Sequence, residues 1–234
     1  MKAFLLAAGL GTRLRPLTDH TPKCLLPIGG RPLLSYWFQL LKGHGVTEVL
    51  VNVHHRAADV EGYLEAEPPP VRVHLFHEPT LLGSAGTVKA NAAWVAAERD
   101  FLVAYADNLT DVDLTSLVDA HRRGPFDLTV GLFRTDRPSE CGIATLDERG
   151  AIVDFCEKPA DPPSNLANAG IYVASPALLG VIPDTRPADF GFDVLPRLIG
   201  RMQGVPLDGF LLDVGTHERY ERAQQAVGRL VFPA

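Results

Sequence analysis

The sequence has few cysteines, and their spacing argues against a disulfide or zinc framework. Three cysteines, Cys24, Cys141 and Cys156, are far apart in 234 residues, with no Cys-x-x-Cys pair among them. Disulfide-rich secreted domains and structural zinc sites use even numbers of cysteines at short spacing. We therefore expect a chain that works in a reducing cytoplasm.

Long apolar runs and an excess of positive charge are also missing. No stretch approaches the roughly 18 consecutive apolar residues that a membrane span requires. The apolar residues after Met1-Lys2 break into Gly11-Thr12-Arg13 without a cleavage-like region, which argues against a signal peptide. The formal net charge of -6 gives no general attraction for nucleic acid or an anionic membrane. We expect neither as a partner, so anionic ligands must be held by local basic clusters or by a metal.

No internal repeat, low-complexity tract or long polar linker divides the chain. The proline-rich stretches at 68–70, 159–163 and 183–187 punctuate loops. With 46% apolar residues, a chain of 234 residues can bury a full core. We expect one domain over residues 1–234.

Alternating strand-like and helix-like segments predict a sheet covered by helices. The first half predicts strands at 3–7, 48–53, 71–76, 101–106 and 128–133, and helices around 33–41, 88–97 and 114–121, the last with Asp113 as N-cap. In the second half, residues 142–146 and 152–155 predict an antiparallel hairpin, followed by a strand at 169–173 and a closing helix around 220–230. The expected fold is a Rossmann-like three-layer α/β/α arrangement with a mixed, mainly parallel central sheet.

The most informative segment runs from Leu6 to Thr18, with Pro22-Lys23 close behind. An apolar strand leads into two glycines, which let the backbone turn sharply and approach a ligand, and three cations bring positive charge to the turn. These residues are Gly9, Gly11, Arg13, Arg15 and Lys23. The combination is typical of a polyphosphate site.

Two common glycine-loop motifs do not match this turn. The dinucleotide fingerprint needs a third glycine where Leu14 stands, and the P-loop needs Lys-Ser/Thr where Thr12-Arg13 follow Gly11. The bare Gly-x-Gly also fits an ordinary strand-to-helix turn.

Two aspartates follow apolar strands further along the chain. Asp107 ends the apolar run 101–106, and Asp213 follows Phe210-Leu211-Leu212. Ligands in open α/β sheets bind outside the carboxyl ends of the strands, and carboxylate oxygens suit Mg²⁺. Each aspartate could instead be a turn residue or a helix N-cap, and spacing alone leaves both readings open.

At these residues the chain resembles the sugar-1-phosphate nucleotidylyltransferase family, whose members join a nucleoside triphosphate to a sugar 1-phosphate and release pyrophosphate. The family's opening motif, Gly-x-Gly-Thr-Arg-Leu-x-Pro-Leu-Thr with a downstream Pro-Lys, stands at 9–18 and 22–23. Further matches follow in the family's order at 82–86, 107, 157–159, 168–170 and 213–216. Within the family, the chain looks most like short mannose-1-phosphate guanylyltransferase-like members without a β-helix domain.

The resemblance implies a role for each matching residue. Arg13 would hold the β- and γ-phosphates, Lys23 would lie near the α-phosphate, and Lys158 would grip the phosphate of the attacking sugar. Mg²⁺ would be bound by Asp107 and Asp213. The implied nucleotide-binding residues are Leu6, Ala8, Gly9, Gly11, Thr12, Arg13, Lys23, Gly83 and Ser84. The implied sugar-binding residues are Gly142, Glu157, Lys158 and Asn168.

The implied partners are a nucleoside triphosphate and a sugar 1-phosphate, with GTP and a mannose- or heptose-type 1-phosphate as the favoured pair. Uridylyl and thymidylyl relatives share nearly all of these motifs, so transfer of either group is the alternative within the family. The apolar Leu230-Val231-Phe232 could contribute to a homo-oligomer contact.

Two readings from other classes compete with the family reading. Asp111-Val112-Asp113 is an Asp-x-Asp, the metal motif of glycosyltransferases that consume nucleotide sugars, although Asp113 also suits a helix cap. A non-catalytic sugar-nucleotide sensor would keep the fold but not the reaction. Pyrophosphate release separates both from nucleotidyl transfer.

Overall fold

The chain folds into two compact units, each assembled from separated stretches of sequence. The structure is a computed structural model that describes residues 1–233. Unit 1 contains residues 1–81, 105–112 and the segment from Gly209 onward, and unit 2 contains residues 82–104 and 113–208. The residues expected at the triphosphate and the metal therefore belong to unit 1. Unit 2 contains those expected at the sugar 1-phosphate, together with Gly83 and Ser84 of the expected nucleotide-binding set.

The strands and helices follow the alternation that the sequence predicts. Within residues 1–233 the strands are β1 (Lys2–Leu6), β2 (Pro27–Ile28), β3 (Arg31–Pro32), β4 (Glu48–Val53), β5 (Arg72–His77), β6 (Phe101–Tyr105), β7 (Asn108–Thr110), β8 (Leu128–Arg134), β9 (Gly142–Leu146), β10 (Ile152–Glu157), β11 (Leu166–Ala174), β12 (Met202–Pro206) and β13 (Leu211–Asp213). Over the same residues the helices are α1 (Leu17–His20), α2 (Leu33–Gly43), α3 (Ala57–Ala66), α4 (Ser84–Ala90), α5 (Ala92–Val95), α6 (Leu114–Arg123) and α7 (His217–Ala226).

Unit 1 is built on a parallel three-stranded arrangement. β4 pairs in parallel with β1 on one side and with β5 on the other. The residues of β4 after Glu48 are all buried, as expected for a strand covered on both faces. The carboxyl ends of β1, β4 and β5 therefore lie at one edge, where the glycine-rich turn begins.

A short antiparallel ribbon in unit 1 positions the two aspartates. β7 pairs with β13 so that Asn108 lies opposite Asp213, and the Val214 N–H donates to the Asp107 carbonyl at 2.8 Å. The indole N–H of Trp37 on α2 donates to the Asn108 carbonyl at 2.8 Å, which fixes the ribbon against that helix. Asp213 thus lies in a strand of this ribbon, whereas the sequence placed it beyond a strand of the main sheet.

Unit 2 mixes antiparallel and parallel pairing. β11 pairs antiparallel with β6, β8 and β9, and β12 runs parallel to β8. β9 and β10 form the expected antiparallel hairpin, which ends with Glu157 opposite Gly142. Parallel pairing in unit 1 and mixed pairing in unit 2 agree with the predicted α/β fold class.

The predicted helix at 88–97 is wrong in both its start and its continuity. α4 begins at Ser84, and α5 follows it after Asn91. The Asn91 side-chain amide donates to the Thr87 carbonyl at 2.9 Å, and its backbone leaves the helical region at φ -110° and ψ 23°. Asparagine side chains that bond to nearby carbonyls compete with helical pairing in this way, and the helix breaks.

The structure also bears on the predicted cap of α6 and on the predicted lack of a membrane-spanning helix. Asp113 caps α6 as predicted, since its carboxylate accepts the Thr115 N–H at 2.9 Å. Among the helices of residues 1–233, none combines the length and the apolar character needed to cross a bilayer.

Candidate functional site

The glycine-rich turn after β1 is held by side chains on both sides. Gly11 has a left-handed backbone at φ +63°, and a β-carbon there would lie 2.8 Å from Cγ2 of Thr18. The buried Thr18 hydroxyl donates to the Gly11 carbonyl at 2.8 Å. Before the turn, the Ala7 N–H donates to Oδ1 of Asn52 at 2.7 Å. The turn is therefore a fixed element that no larger residue at position 11 can adopt without strain.

Four charged side chains of unit 1 converge at what we call the carboxylate cluster: Lys23, Asp107, Asp213 and Arg219. Lys23 Nζ lies 2.6 Å from Oδ2 of Asp107 and 3.4 Å from Oδ1 of Asp213. The Lys23 side chain is only 9% exposed, against 38% for Asp107 and 34% for Asp213. Burying an ammonium requires paired charges, and the two aspartates supply them.

The remaining oxygen of Asp213 is held by Arg219 on α7. Arg219 Nη1 lies 2.8 Å from Oδ2 of Asp213, and the Arg219 side chain is 16% exposed. Thr216 caps α7 by accepting the Arg219 N–H at 3.3 Å, which fixes the first turn of the helix under the carboxylate. Asp213 is thus oriented by a cation on each oxygen.

The three cations expected around the turn have different surroundings. Arg13 reaches the carboxylate cluster, because a β-carbon on Gly215 would lie 2.9 Å from Arg13 Nη2 and 2.8 Å from Asp213 Oδ2. Lys23 is neutralised by the carboxylates. Arg15 has a 67% exposed side chain and pairs with Asp19 at 3.2 Å. The predicted basic cluster of Arg13, Arg15 and Lys23 is thus partly neutralised, because Arg15 and Lys23 pair with carboxylates, and its role in holding phosphates stays a prediction.

The donor set of the cluster fits a hard divalent cation. Two carboxylates reach a single point now occupied by the Lys23 ammonium, and Mg²⁺ binds to one or two protein carboxylates while keeping waters and substrate phosphates as further ligands. Within residues 1–233, no group of three or more His, Cys, Asp or Glu side chains is arranged to hold a metal alone. A cation here would depend on ligands from solvent or substrate.

In unit 2, Glu157 is wedged between two glycines. A β-carbon on Gly142 or on Gly191 would collide with Oε2 of Glu157. Burial raises the pKa of the Glu157 carboxyl above its ordinary value of 4.5, Lys158 opposes that rise, and Asp189 adds to it. Gly142 and Gly191 therefore both lie against the Glu157 carboxylate, and the sugar-binding role implied for Gly142 and Glu157 stays a prediction.

Asn168 belongs to a second polar group on β11. Its amide donates to the Tyr172 hydroxyl at 2.7 Å, and its Oδ1 accepts the Gly170 N–H at 2.9 Å. The buried Tyr172 ring stacks on Phe190, with centroids 4.9 Å apart. Phe190 directly precedes Gly191. The segment 188–191 therefore contacts Tyr172, the partner of Asn168, through Phe190, and contacts Glu157 through Gly191.

The same segment holds the loop at Gly83 and Ser84. The Ser84 hydroxyl donates to Oδ2 of Asp189 at 2.8 Å and accepts the Phe190 N–H at 2.9 Å. Gly83 has φ +80°, and a β-carbon there would collide with the Ala188 backbone. The loop expected at the nucleotide base thus packs on the segment that also contacts Glu157.

Lys158 has an unusual backbone for its residue type. Its φ is +49°, a left-handed conformation that costs a non-glycine residue roughly 1–2 kcal/mol. Its N–H donates to the Cys141 carbonyl at 3.0 Å, and its side chain is exposed. Residues held in such conformations concentrate at functional sites.

Sequence reasoning missed several residues that build the site: Asn52, Glu78, Asp189, Gly191 and Arg219. Asn52 is the polar member of an otherwise apolar buried strand and donates to the buried Glu78 at 2.8 Å, so its position in β4 was a usable signal. Asp189 and Arg219 had none, because each becomes significant only through a contact with a distant residue.

The Asp-x-Asp at 111–113 is used for backbone hydrogen bonds. Asp111 accepts the Phe210 N–H at 2.8 Å and the Val231 N–H at 3.1 Å. Asp113 is the α6 cap. These contacts explain both carboxylates without a metal.

Comparison with known proteins relates the chain to one protein family. The model of the family described as nucleotidyl transferase matches residues 2–229. The chain is 34% identical over 219 residues to the mannose-1-phosphate guanylyltransferase catalytic subunit beta of Drosophila pseudoobscura pseudoobscura, covering 92% of this chain and 59% of that protein. It is 29% identical over 234 residues to the UTP–glucose-1-phosphate uridylyltransferase AglF of Haloferax volcanii, covering 96% of both.

Solved structures show the same fold. A UDP-glucose pyrophosphorylase complexed with UDP-glucose superposes with a TM-score of 0.83 at 22% identity, covering 97% of this chain and 98% of that one. This likeness confirms the Rossmann-like α/β fold with a mixed, mainly parallel central sheet.

Proposed function

Since the chain belongs to the nucleotidyl transferase family, we propose that it transfers a nucleoside monophosphate from a nucleoside triphosphate to a sugar 1-phosphate and releases pyrophosphate. The observation that carries the proposal is the pairing of Lys23 with Asp107 and Asp213 beside the glycine-rich turn. We further propose that residues 1–234 act as one catalytic domain in the cytoplasm.

The reaction requires the protein to neutralise and position negatively charged phosphates, and it requires no covalent bond to the protein. An oxygen of the sugar phosphate attacks the α-phosphorus, the bond between the α-phosphorus and the bridging oxygen breaks, and pyrophosphate leaves. Two polyanions must meet, so positioning and electrostatic stabilisation should dominate. Arg13 and Lys23 are the unit 1 cations that would offset phosphate charge, with backbone N–H groups of the turn as further donors.

Asp107 and Asp213 are the residues that would hold Mg²⁺. When bound, the ion would supply charge neutralisation and a template for the phosphates. Arg219 keeps Asp213 oriented for this role.

The unit 2 residues suit recognition of a sugar phosphate. Glu157 and Asn168 offer an acceptor and an amide to hydroxyl groups, and the exposed Lys158 offers a cation to the phosphate. The left-handed backbone of Lys158 supports this role, because residues in such conformations concentrate at functional sites.

For the substrates, we propose GTP with a mannose- or heptose-type 1-phosphate. Relatives named for guanylyl and for uridylyl transfer both support the family reaction, and the alternative is transfer of a uridylyl or thymidylyl group. The discriminating test is a panel of four triphosphates against several sugar 1-phosphates with Mg²⁺, read as pyrophosphate. Absence of pyrophosphate from every pair would overturn the proposed function.

The Lys23→Ala variant tests the assigned chemistry directly. We expect turnover to fall on the order of a hundredfold or more, the loss seen when a preorganised charge-stabilising group is removed. Lys42→Ala, which removes an exposed lysine of α2, is the matched control. Near-normal turnover by a folded, metal-replete Lys23→Ala protein would remove Lys23 from its role.

A further inference from the structure

Lys23 contacts the same carboxylate oxygens that the proposed cation requires. Its Nζ lies 2.6 Å from Asp107 Oδ2, a short charge-assisted hydrogen bond, and 3.4 Å from Asp213 Oδ1. The ammonium is also the most buried charge of the carboxylate cluster. A divalent ion bound to these oxygens would stand against a buried positive charge at contact distance, where like charges repel strongly.

Arg219 holds Asp213 independently of Lys23. It holds Oδ2 of Asp213 from the first turn of α7, on the oxygen that Lys23 does not contact. Loss of the Lys23 contact would therefore leave Asp213 oriented. Lys23 is the first residue of a short 3₁₀ turn, Lys23–Leu25, and its long, flexible side chain can move the ammonium without unfolding that turn.

We propose that Lys23 competes with the divalent cation for Asp107 and Asp213, and leaves the carboxylates when the cation binds. The inference rests on the proposed function for the identity of the cation and of the phosphates. A triphosphate offers Lys23 other anionic oxygens, so a ligand that draws the lysine away raises the affinity for the cation. By linkage, the cation raises the affinity for that ligand by the same factor.

The test is a titration of the full chain with Mn²⁺ alone, followed by the electron paramagnetic resonance signal of the free ion. We compare wild type, Lys23→Met, Lys23→Gln and the charge-matched control Lys42→Met. We expect both Lys23 variants to bind Mn²⁺ at least about fivefold more tightly than wild type, the lower end of ordinary coupling between ligands. Lys42→Met should bind as wild type does, because Lys42 is exposed on α2.

Unchanged Mn²⁺ affinity in the folded Lys23 variants would overturn the inference, and so would an equal gain in Lys42→Met. Circular dichroism identifies which variants are folded, and Lys23→Gln keeps an amide donor in case Lys23→Met does not fold. The titration needs no turnover. If wild type is inactive toward every substrate pair but the Lys23 variants bind Mn²⁺ more tightly, the proposed function is wrong and the competition stands. If wild type is active but the variants show no gain in Mn²⁺ affinity, the competition is wrong and the proposed function stands.

Discussion

Position 11 requires glycine for two reasons, its left-handed backbone conformation and the close packing of Thr18. Its φ of +63° is left-handed, and Thr18 Cγ2 fills the space where a β-carbon would lie. Gly11→Ala should therefore lower the free energy of unfolding by about 1–3 kcal/mol, the usual cost of such a backbone. Gly9→Ala is the control, because nothing lies within 4 Å of a β-carbon there. Urea unfolding measures both, and equal losses would contradict the geometry.

Glu157 links its burial to a pH dependence of stability. Its folded-state pKa is raised above 4.5 by burial, so its contribution to stability is fully present below the unfolded pKa and is lost as pH rises through the folded pKa. Glu157→Gln should thus stabilise the protein at about pH 7 and lose that advantage near about pH 4. Glu148→Gln, at an exposed turn, is the control. A pH-independent difference between Glu157→Gln and wild type in urea unfolding would refute the assignment.

For single residues, the sequence indicated which side chains belong to the candidate site better than it indicated which side chains they contact. The motif placed Arg13 and Lys23 at a phosphate site and the aspartates at a metal, and the structure brings Lys23 and both aspartates into contact. Their mutual neutralisation was not predictable, because Lys23 and Asp213 are 190 residues apart and only the fold pairs them. The pairing of Arg15 with Asp19 was not predictable from their i, i+4 spacing, because Arg15 lies before α1 with a non-helical backbone.

The elements were predictable where one local signal decided them. β4 has the predicted bounds because its apolar run is framed by polar residues. The helix expected at 88–97 was wrong because Asn91 breaks it through a side-chain bond that periodicity does not register. The sequence predicted a strand before Asp213, where β13 lies. The pairing of β13 with β7 was not predictable, because β7 is about 100 residues earlier in the chain and neither strand carries a signal for the other.

The cap of α6 tests whether Asp113 has only a structural role. Asp113 accepts the Thr115 N–H, so Asp113→Ala should cost about 1 kcal/mol of stability, and Asp113→Ser should cost less because serine also caps helices. We expect both variants to keep pyrophosphate-forming activity. A loss of pyrophosphate formation by a stable Asp113→Ser protein would contradict a purely structural role for Asp113.

Over the whole molecule, unit 1 is closed by the last part of the chain. Its core includes Ile28, Leu33, Tyr36, Leu109, Leu212, Val214 and Ala223, with Leu230 and Phe232 packed against it. The rings of Phe232 and Tyr36 have centroids 5.1 Å apart, so residues from opposite ends of the sequence meet. The apolar 230–232 segment, considered for a subunit contact, is thus partly used within the chain.

This closure predicts unequal effects of two adjacent substitutions. Phe232→Ala should lower the free energy of unfolding by about 1–2 kcal/mol, somewhat less than full burial of a phenylalanine contributes. Val231→Ala should have little effect on stability, since Val231 is 77% exposed. Urea unfolding compares the two. A change in sedimentation for Val231→Ala would instead assign that side chain to a subunit contact.

The distance in sequence between the members of the carboxylate cluster also matters while the protein is being made. A ribosome delivers Lys23 and Asp107 early, and Asp213 follows Lys23 by 190 residues. Until Asp213 has been synthesised, Asp107 is the only one of the two aspartates that Lys23 can contact. Products that terminate between Asp107 and Asp213 therefore carry the recognisable N-terminal motif but only one of the two aspartates that contact Lys23.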